Sequence, residues 1–366
     1  GSLTAPPDHG WIESMEMFRR ALMTLHETLP KENRPGRVKV ALIDDGVDRA
    51  DLTTYQNRVE VTGMSYWSPS MGTTFQNPSW HQSTHGHGTI MANSIIRINP
   101  WVSLYAMRIQ DDVDIGPRNE VSIRIHAGSA AGAIEDAIIL KVDIISISWT
   151  IRNLVAQDAR AVNGQEEKAI KSLKKAIENA KEHGILIFCS ASDDVKKKGA
   201  GTLPYSQARE YIFRIGAADA YGWSHKATED QQTIDYFLPG YQVADDFHPR
   251  IVRTEELKYR DGSSVATALA AGLASLVLYL TNLMKMYYCT DTKNMSKFSK
   301  YGDLLRTRDG LKKAFENMIT DDNYKDKKFL PVWDLFGSRA KEILNNIKDP
   351  GAKWDLLDEL CRKLAT

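Results

Sequence analysis

The sequence predicts an α/β protein with a mainly parallel, twisted sheet and helices on both faces. Three observations carry this. Short apolar runs rich in Val and Ile recur along the chain, each of strand length. Between them lie stretches with helical spacing of apolar positions, the alternation that builds parallel sheets. Several runs end directly on Asp, Ser or Gly, the residues found at the carboxyl ends of strands in such sheets.

The elements follow in chain order. Trp11, Met15, Phe18, Leu22 and Leu25 make one apolar helical face, which predicts a helix packed on its own domain. Val38 to Ile43 reads as a buried strand that runs into Asp44-Asp45-Gly46. Residues 51–85 are polar and irregular. His85-Gly86-His87-Gly88-Thr89 then opens a short apolar helix over Ile90 to Ile96. Val102 to Ile109 is a strand, followed by the acidic loop Asp111-Asp112-Val113-Asp114. Val121 to Leu140 reads as a helix, Val142 to Trp149 as a strand and Gln165 to His183 as an amphipathic helix stopped by Gly184. Strands are expected at Ile185 to Ser190 and Tyr211 to Ala217. Asp261-Gly262-Ser263-Ser264 leads into an uncharged helical run, Ala268 to Leu280. Residues 285–303 read as a polar interruption, Gly310 to Met318 as a helix and Lys328 to Leu335 as a strand. Two amphipathic helical pieces broken at Pro350-Gly351 form the tail.

The chain has 366 residues, with Lys+Arg and Asp+Glu equal at 47 each, so nothing points to nucleic acid or a membrane surface. No uninterrupted apolar run looks long enough to span a bilayer. Cys189, Cys289 and Cys361 are odd in number and fit neither a disulfide framework nor a zinc site, which points to a reducing, cytoplasmic setting. His85 and His87 lack a Cys or acid at ligand spacing, so no metal is expected there. A Gly-rich phosphate loop after the first strand is missing, which sets aside a nucleotide-binding domain. The chain opens Gly1-Ser2 without Met, as a tag remnant would, and other domains of a longer natural chain are among its expected partners.

Ser264 lies at the first turn of a buried helix, beside unpaired N–H groups and the positive helix end, where an anion is stabilised. Alone, such a Ser is a helix cap. Two upstream stretches change the reading. Ile43-Asp44-Asp45-Gly46, His87-Gly88-Thr89-Ile90-Met91-Ala92 and Gly262-Ser263-Ser264-Val265-Ala266 resemble, in order, the Asp, His and Ser motifs of the subtilisin-like serine proteases. Leu104-Tyr105-Ala106-Met107-Arg108, Ile147-Ser148-Trp149 and Leu238-Pro239-Gly240 are lesser matches. The resemblance covers roughly residues 38–337, leaving 1–37 as an N-terminal helical extension and 338–366 as a C-terminal helical tail. It implies Ser264 as nucleophile, His87 as general base and acid, and Asp44 as the orienting carboxylate of a serine endopeptidase acting on protein or peptide. It also implies that Ser148 and Trp149 border the substrate, that Gly88 lets the backbone pass close to it, and that Gly262 permits the turn before Ser264.

Asp193 stands where the family normally has an Asn that donates to the oxyanion. Ionised, it would repel that charge by about 3 kcal/mol at ~5 Å and an effective dielectric of ~20. Only a protonated Asp193 could donate. This favours, as the alternative, a weak or inactive subtilase that binds a peptide or partner. Asp44-Asp45 and Asp111 look kexin-like and imply a pocket for a basic residue beside the scissile bond, whereas Arg152 would repel one. No cofactor is expected, with Asp111–Asp114 the one candidate loop for calcium. The stretch before Asp44 is short for an inhibitory prodomain plus signal.

Overall fold

Val38, Val40 and Leu42 alternate with Ala41 and Ile43 along the first strand, and the two sets feed two different cores. A strand buried on both faces belongs inside a parallel sheet covered twice by helices. The computed structural model describes residues 8–53, 55, 58–67, 78–117, 119, 121–153, 164–192, 201–224, 231–245 and 258–366.

Helix α1 (Gly10–His26) buries the apolar face read from the sequence, Trp11 to Leu25. Strand β1 (Val38–Asp44) follows, then β2 (Glu60–Ser65), a strand inside the stretch expected to be irregular. Helix α2 (His87–Ile98) leads to β3 (Val102–Arg108). The acidic loop is itself a strand, β4 (Asp111–Ile115), paired antiparallel with β5 (Val121–Ile125). The expected helix over 121–140 therefore starts later, as α3 (Ala127–Ile139). Val121-Ser122-Ile123-Arg124-Ile125 has a period of two, and that pattern overrides the helical residues after it.

The next elements are β6 (Ile144–Ile147), β7 (Ile151–Arg152), α4 (Gly164–Glu182), β8 (Leu186–Ser190), β9 (Thr202–Leu203), β10 (Phe213–Ala218) and β11 (Tyr236–Pro239). A two-stranded ribbon of β12 (Val243–Ala244) and β13 (Tyr259–Arg260) runs into α5 (Ser263–Tyr287). The polar stretch 285–303 holds the end of α5 and most of α6 (Thr292–Leu305), capped by Asp291. Then come α7 (Arg308–Met318) and the short α8 (Asp322–Lys325). The expected strand at 328–335 shrinks to one bridge, Phe329 with Phe237, before a π-turn at Trp333–Gly337. Helix α9 (Ser338–Lys341) and α10 (Pro350–Ala365) close the chain. Pro350 does not break α10 but starts it, with the Asp349 carboxylate accepting from the Ala352 N–H.

Seven strands form the main sheet in the order β11-β10-β8-β6-β1-β3-β2, with every pair parallel. The chain leaves β1 toward β3 and later crosses to β6 on its other side. That change of direction opens a crevice beyond the carboxyl ends of β1 and β6. Helices α3 and α4 cover one face, and α2 and α5 cover the other. Helix α5 is, among the described residues, long and apolar enough to cross a membrane, contrary to the reading of the sequence. Its apolar window is nevertheless 94% buried inside the protein, so it serves as the central core helix. The terminal helices pack into the same core as α5. Trp11 and Trp354 are both buried there, and the Trp354 indole donates to Thr28 Oγ1 at 3.2 Å.

Candidate active site at the carboxyl edge of the sheet

Asp44 is the last residue of β1, and the neighbouring strands hold it there. Its backbone pairs with Arg108 of β3, while its carbonyl accepts from the Ile109 N–H at 2.9 Å. The carboxylate is buried, and Oδ1 accepts from the Asp45 N–H at 2.8 Å. His87 opens α2 and places Nδ1 2.8 Å from the same Oδ1. In its neutral form the imidazole donates from Nδ1, which leaves Nε2 as the acceptor. The Asp44 charge raises the His87 pKa to about 9. Burial opposes the rise, while the Asp44 hydrogen bond and the Asp45 charge add to it.

Ser264 is the second residue of α5. Gly262 before it has φ +127°, a conformation that only glycine adopts without strain, and its N–H bonds the Gly240 carbonyl at 2.7 Å. Ser263 is buried and donates to the Ala191 carbonyl at 2.5 Å, tying the start of α5 to the end of β8. Ser264 Oγ lies 3.5 Å from the Ser148 carbonyl, and Ser148 Oγ lies 3.5 Å from the Ser264 carbonyl. Ser148 thus brings the end of β6 against the start of α5. The ends of β1, β6 and β8 meet α2 and α5 at one edge.

Three residues expected near the substrate make bonds that brace this edge. The Asp45 carboxylate is buried and accepts from Ser83 Oγ, the His85 N–H and the Gly88 N–H, each at 2.7 Å. It grips the loop that carries both histidines. Trp149 turns its indole into the core, where Nε1 donates to the Ile43 carbonyl at 2.8 Å, one residue before Asp44. Asp111 is buried and accepts from His85 Nε2 at 2.9 Å. Gly88 has a related role. A Cβ there would lie 2.0 Å from the Gly46 carbonyl, so its missing side chain lets α2 sit on the Asp-Gly turn.

Asp111 and Asp112 point to opposite faces of β4. Asp112 accepts from His126 and Arg124, away from Asp111, so these two carboxylates do not converge on a cation. Asp193 lies outside the described residues. Arg108 was not singled out as a site residue, yet its buried guanidinium donates to the Ser79 and Gln82 carbonyls and to Thr84 Oγ1. That anchors the approach to His85. Its place in the Leu104–Arg108 motif was the only sequence signal.

The model of the subtilase family matches residues 36–308. Subtilisin DY of Bacillus licheniformis is 22% identical over 247 residues, 66% of this chain and 76% of that protein. The subtilisin-like protease het-Q2 of Podospora anserina is 31% identical over 198 residues, 53% of this chain, and the match spans only 48% of that relative. The prenylagaramide maturation protease PagA superposes with a TM-score of 0.52 at 18% identity, covering 89% of this chain and 99% of that one. A mutant protease domain of PatA gives 0.52 at 16% identity, covering 90% and 98%. At these identities the structures speak for the fold alone. The kexin-like features read from Asp45 and Asp111 find no support in these matches. Given the family model and the relatives together, the chain belongs to the subtilase family.

Proposed function

We propose that the chain is a serine endopeptidase in which Ser264, His87 and Asp44 act together through an acyl-enzyme. The observation that carries this is the 2.8 Å bond from His87 Nδ1 to buried Asp44. Ser264 Oγ attacks the scissile carbonyl carbon while His87 Nε2 takes its proton. Asp44 fixes the tautomer and stabilises the imidazolium, in keeping with the raised His87 pKa. The tetrahedral oxyanion draws on N–H groups at the start of α5. His87 then gives its proton to the leaving amine. A water activated by His87 next attacks the acyl-enzyme carbonyl, and Ser264 is restored as the acid is released.

Protein or peptide is the substrate class. A basic residue upstream of the scissile bond would have to be read by Asp45 or Asp111, and both carboxylates already have partners. With three cysteines outside disulfides, one of them exposed, we place the protein in a reducing, cytoplasmic setting. Asp193 favours a second reading, a subtilase that binds peptide without turning it over. A fluorophosphonate probe tests the first reading against the second. Labelling of the wild type and none of Ser264→Ala supports the protease. Equal labelling of both would remove Ser264 from the mechanism.

A further inference from the structure

A cavity of about 380 Å³ opens between α2 and the β12–β13 ribbon. Its lining includes sequence neighbours of two candidate catalytic residues. Gly86, next to His87, lines one side, and Val265, next to Ser264, lines the other. Its floor is apolar, formed by Ile90, Val243, Val265 and Leu269.

Of the six Asp, Arg and Lys side chains that line it, Asp48, Arg97, Asp245 and Arg260 are already bonded, while Asp51 and Lys258 also face it. Asp48 accepts from the Ser83 N–H at 3.0 Å and from Thr89 Oγ1 at 3.3 Å. Arg97 bonds Glu16 at 2.6 Å and the Ala244 carbonyl at 2.7 Å. Arg260 pairs with Asp245 at 2.8 Å. An entering charge would compete with those pairs and would meet both signs in Asp51 and Lys258, whereas an entering apolar group gains from the floor. The volume admits an aromatic ring, since an apolar cavity of roughly 150 Å³ already holds benzene.

The proton path says which part of a substrate this wall meets. His87 protonates the leaving amine, so the leaving segment lies on the histidine side of the scissile bond. The cavity is walled by the loop and helix that carry His87. We infer that it receives a bulky apolar side chain, of Phe or Leu size, from the substrate segment downstream of the scissile bond. This rests on the serine-protease reading above and adds a substrate preference to it.

The test digests a library of denatured-protein peptides with the full chain and reads the residues after each cut by mass spectrometry. A parallel fluorophosphonate reaction reports on Ser264. Phe and Leu are expected to exceed Gly and Asp downstream of the cut by about tenfold or more. Ala244→Trp, which fills the cavity, and Ile90→Asp, which charges its floor, should each bring that ratio to within about twofold. The ratio is read within one preparation, so the folded fraction cancels. A wild type indifferent to the downstream residue overturns the inference, as does a preference that survives both variants. Labelling without any peptide cleavage also overturns it. Absence of both labelling and cleavage would bring down the serine-protease reading and this inference with it.

Discussion

The loop at His85 and the helix start at His87 hold the same chemical pair, a histidine bonded to a buried aspartate. Burial does not distinguish them. The His85 and His87 side chains are 28% and 37% exposed, and their aspartates 3% and 5%. The ring atom used does. His87 spends Nδ1, the nitrogen nearer the backbone, on Asp44, so Nε2 at the tip of the ring is not the atom that the carboxylate holds. His85 spends Nε2 itself on Asp111. His126 does the same with Asp112. A His–Asp pair is thus not a catalytic unit in itself. Under the mechanism proposed above, it becomes one when the carboxylate holds the inner nitrogen and leaves the outer one to exchange a proton with the nucleophile.

The largest effect separates the two histidines directly. His87→Ala should lower the rate of fluorophosphonate labelling by at least about a thousandfold, because the base is lost. His85→Ala removes only a loop contact and should cost no more than about tenfold. Equal losses would mean that both pairs serve the chemistry, and the distinction by ring atom would fail.

Asp45 joins the two pairs, since it holds the His85 N–H and the Gly88 N–H on either side of His87. Asp45→Asn offers one oxygen and an NH2 group where two oxygens accept, so a donor is turned against a donor. The loop must shift, and kcat/KM should fall by about 10- to 100-fold. The same variant changes the pH profile. The proposed mechanism requires neutral His87, so in the wild type kcat/KM should climb with pH through an acidic limb centred well above the usual imidazole value of 6.5. The Asp45 charge contributes to that rise, so Asp45→Asn should move the limb to lower pH. A profile measured from pH 5 to 10 checks both the position and the shift. If the variant also lost selectivity for basic residues, Asp45 would be a substrate reader as well.

The sequence made the strand ends legible because buried parallel strands carry apolar runs that stop at polar residues, as Val38–Asp44 and Ile144–Ile147 do. The order of the Asp, His and Ser motifs singled out Asp44, His87 and Ser264, which stand at the end of β1 and in the first turns of α2 and α5. What stayed hidden was the partner of each polar side chain. Asp45, Asp111 and Trp149 looked available because nothing local binds them. Their partners come from Gly88, His85 and Ile43, which the fold brings near from distant positions or from the neighbouring strand. The β4–β5 hairpin was hidden for another reason. Its turn carries no Asn-Gly or Asp-Gly signal, and its second strand abuts the Ala-rich start of α3. The terminal helices were separable by resemblance alone, yet the apolar faces of α1 and α10 enter the same core as α5.

The smallest effect is expected at Asp111, and it bears on the comparison from the quiet side. Burial raises the Asp111 pKa, and the nearby His85 only partly offsets that. A raised carboxyl pKa means that the folded protein holds the proton more tightly than the unfolded chain. The charged form therefore detracts from stability in full above the folded pKa; the loss fades as pH falls through that value and is gone below the unfolded pKa. Asp111→Asn removes the charge and keeps a carbonyl oxygen that His85 Nε2 can still donate to. Thermal unfolding at pH 7 should then stay at the wild-type temperature or rise above it. Labelling of Ser264 should stay within about threefold, since the bond to His87 is not touched. Asp111→Ala differs, because it leaves the His85 nitrogen without its acceptor and should cost roughly 1–2 kcal/mol of stability. If Asp111→Asn instead lowered the labelling rate a hundredfold in a protein of unchanged melting temperature, the His85 pair would be part of the proton path. The assignment of His87 as the sole base would then have to be given up.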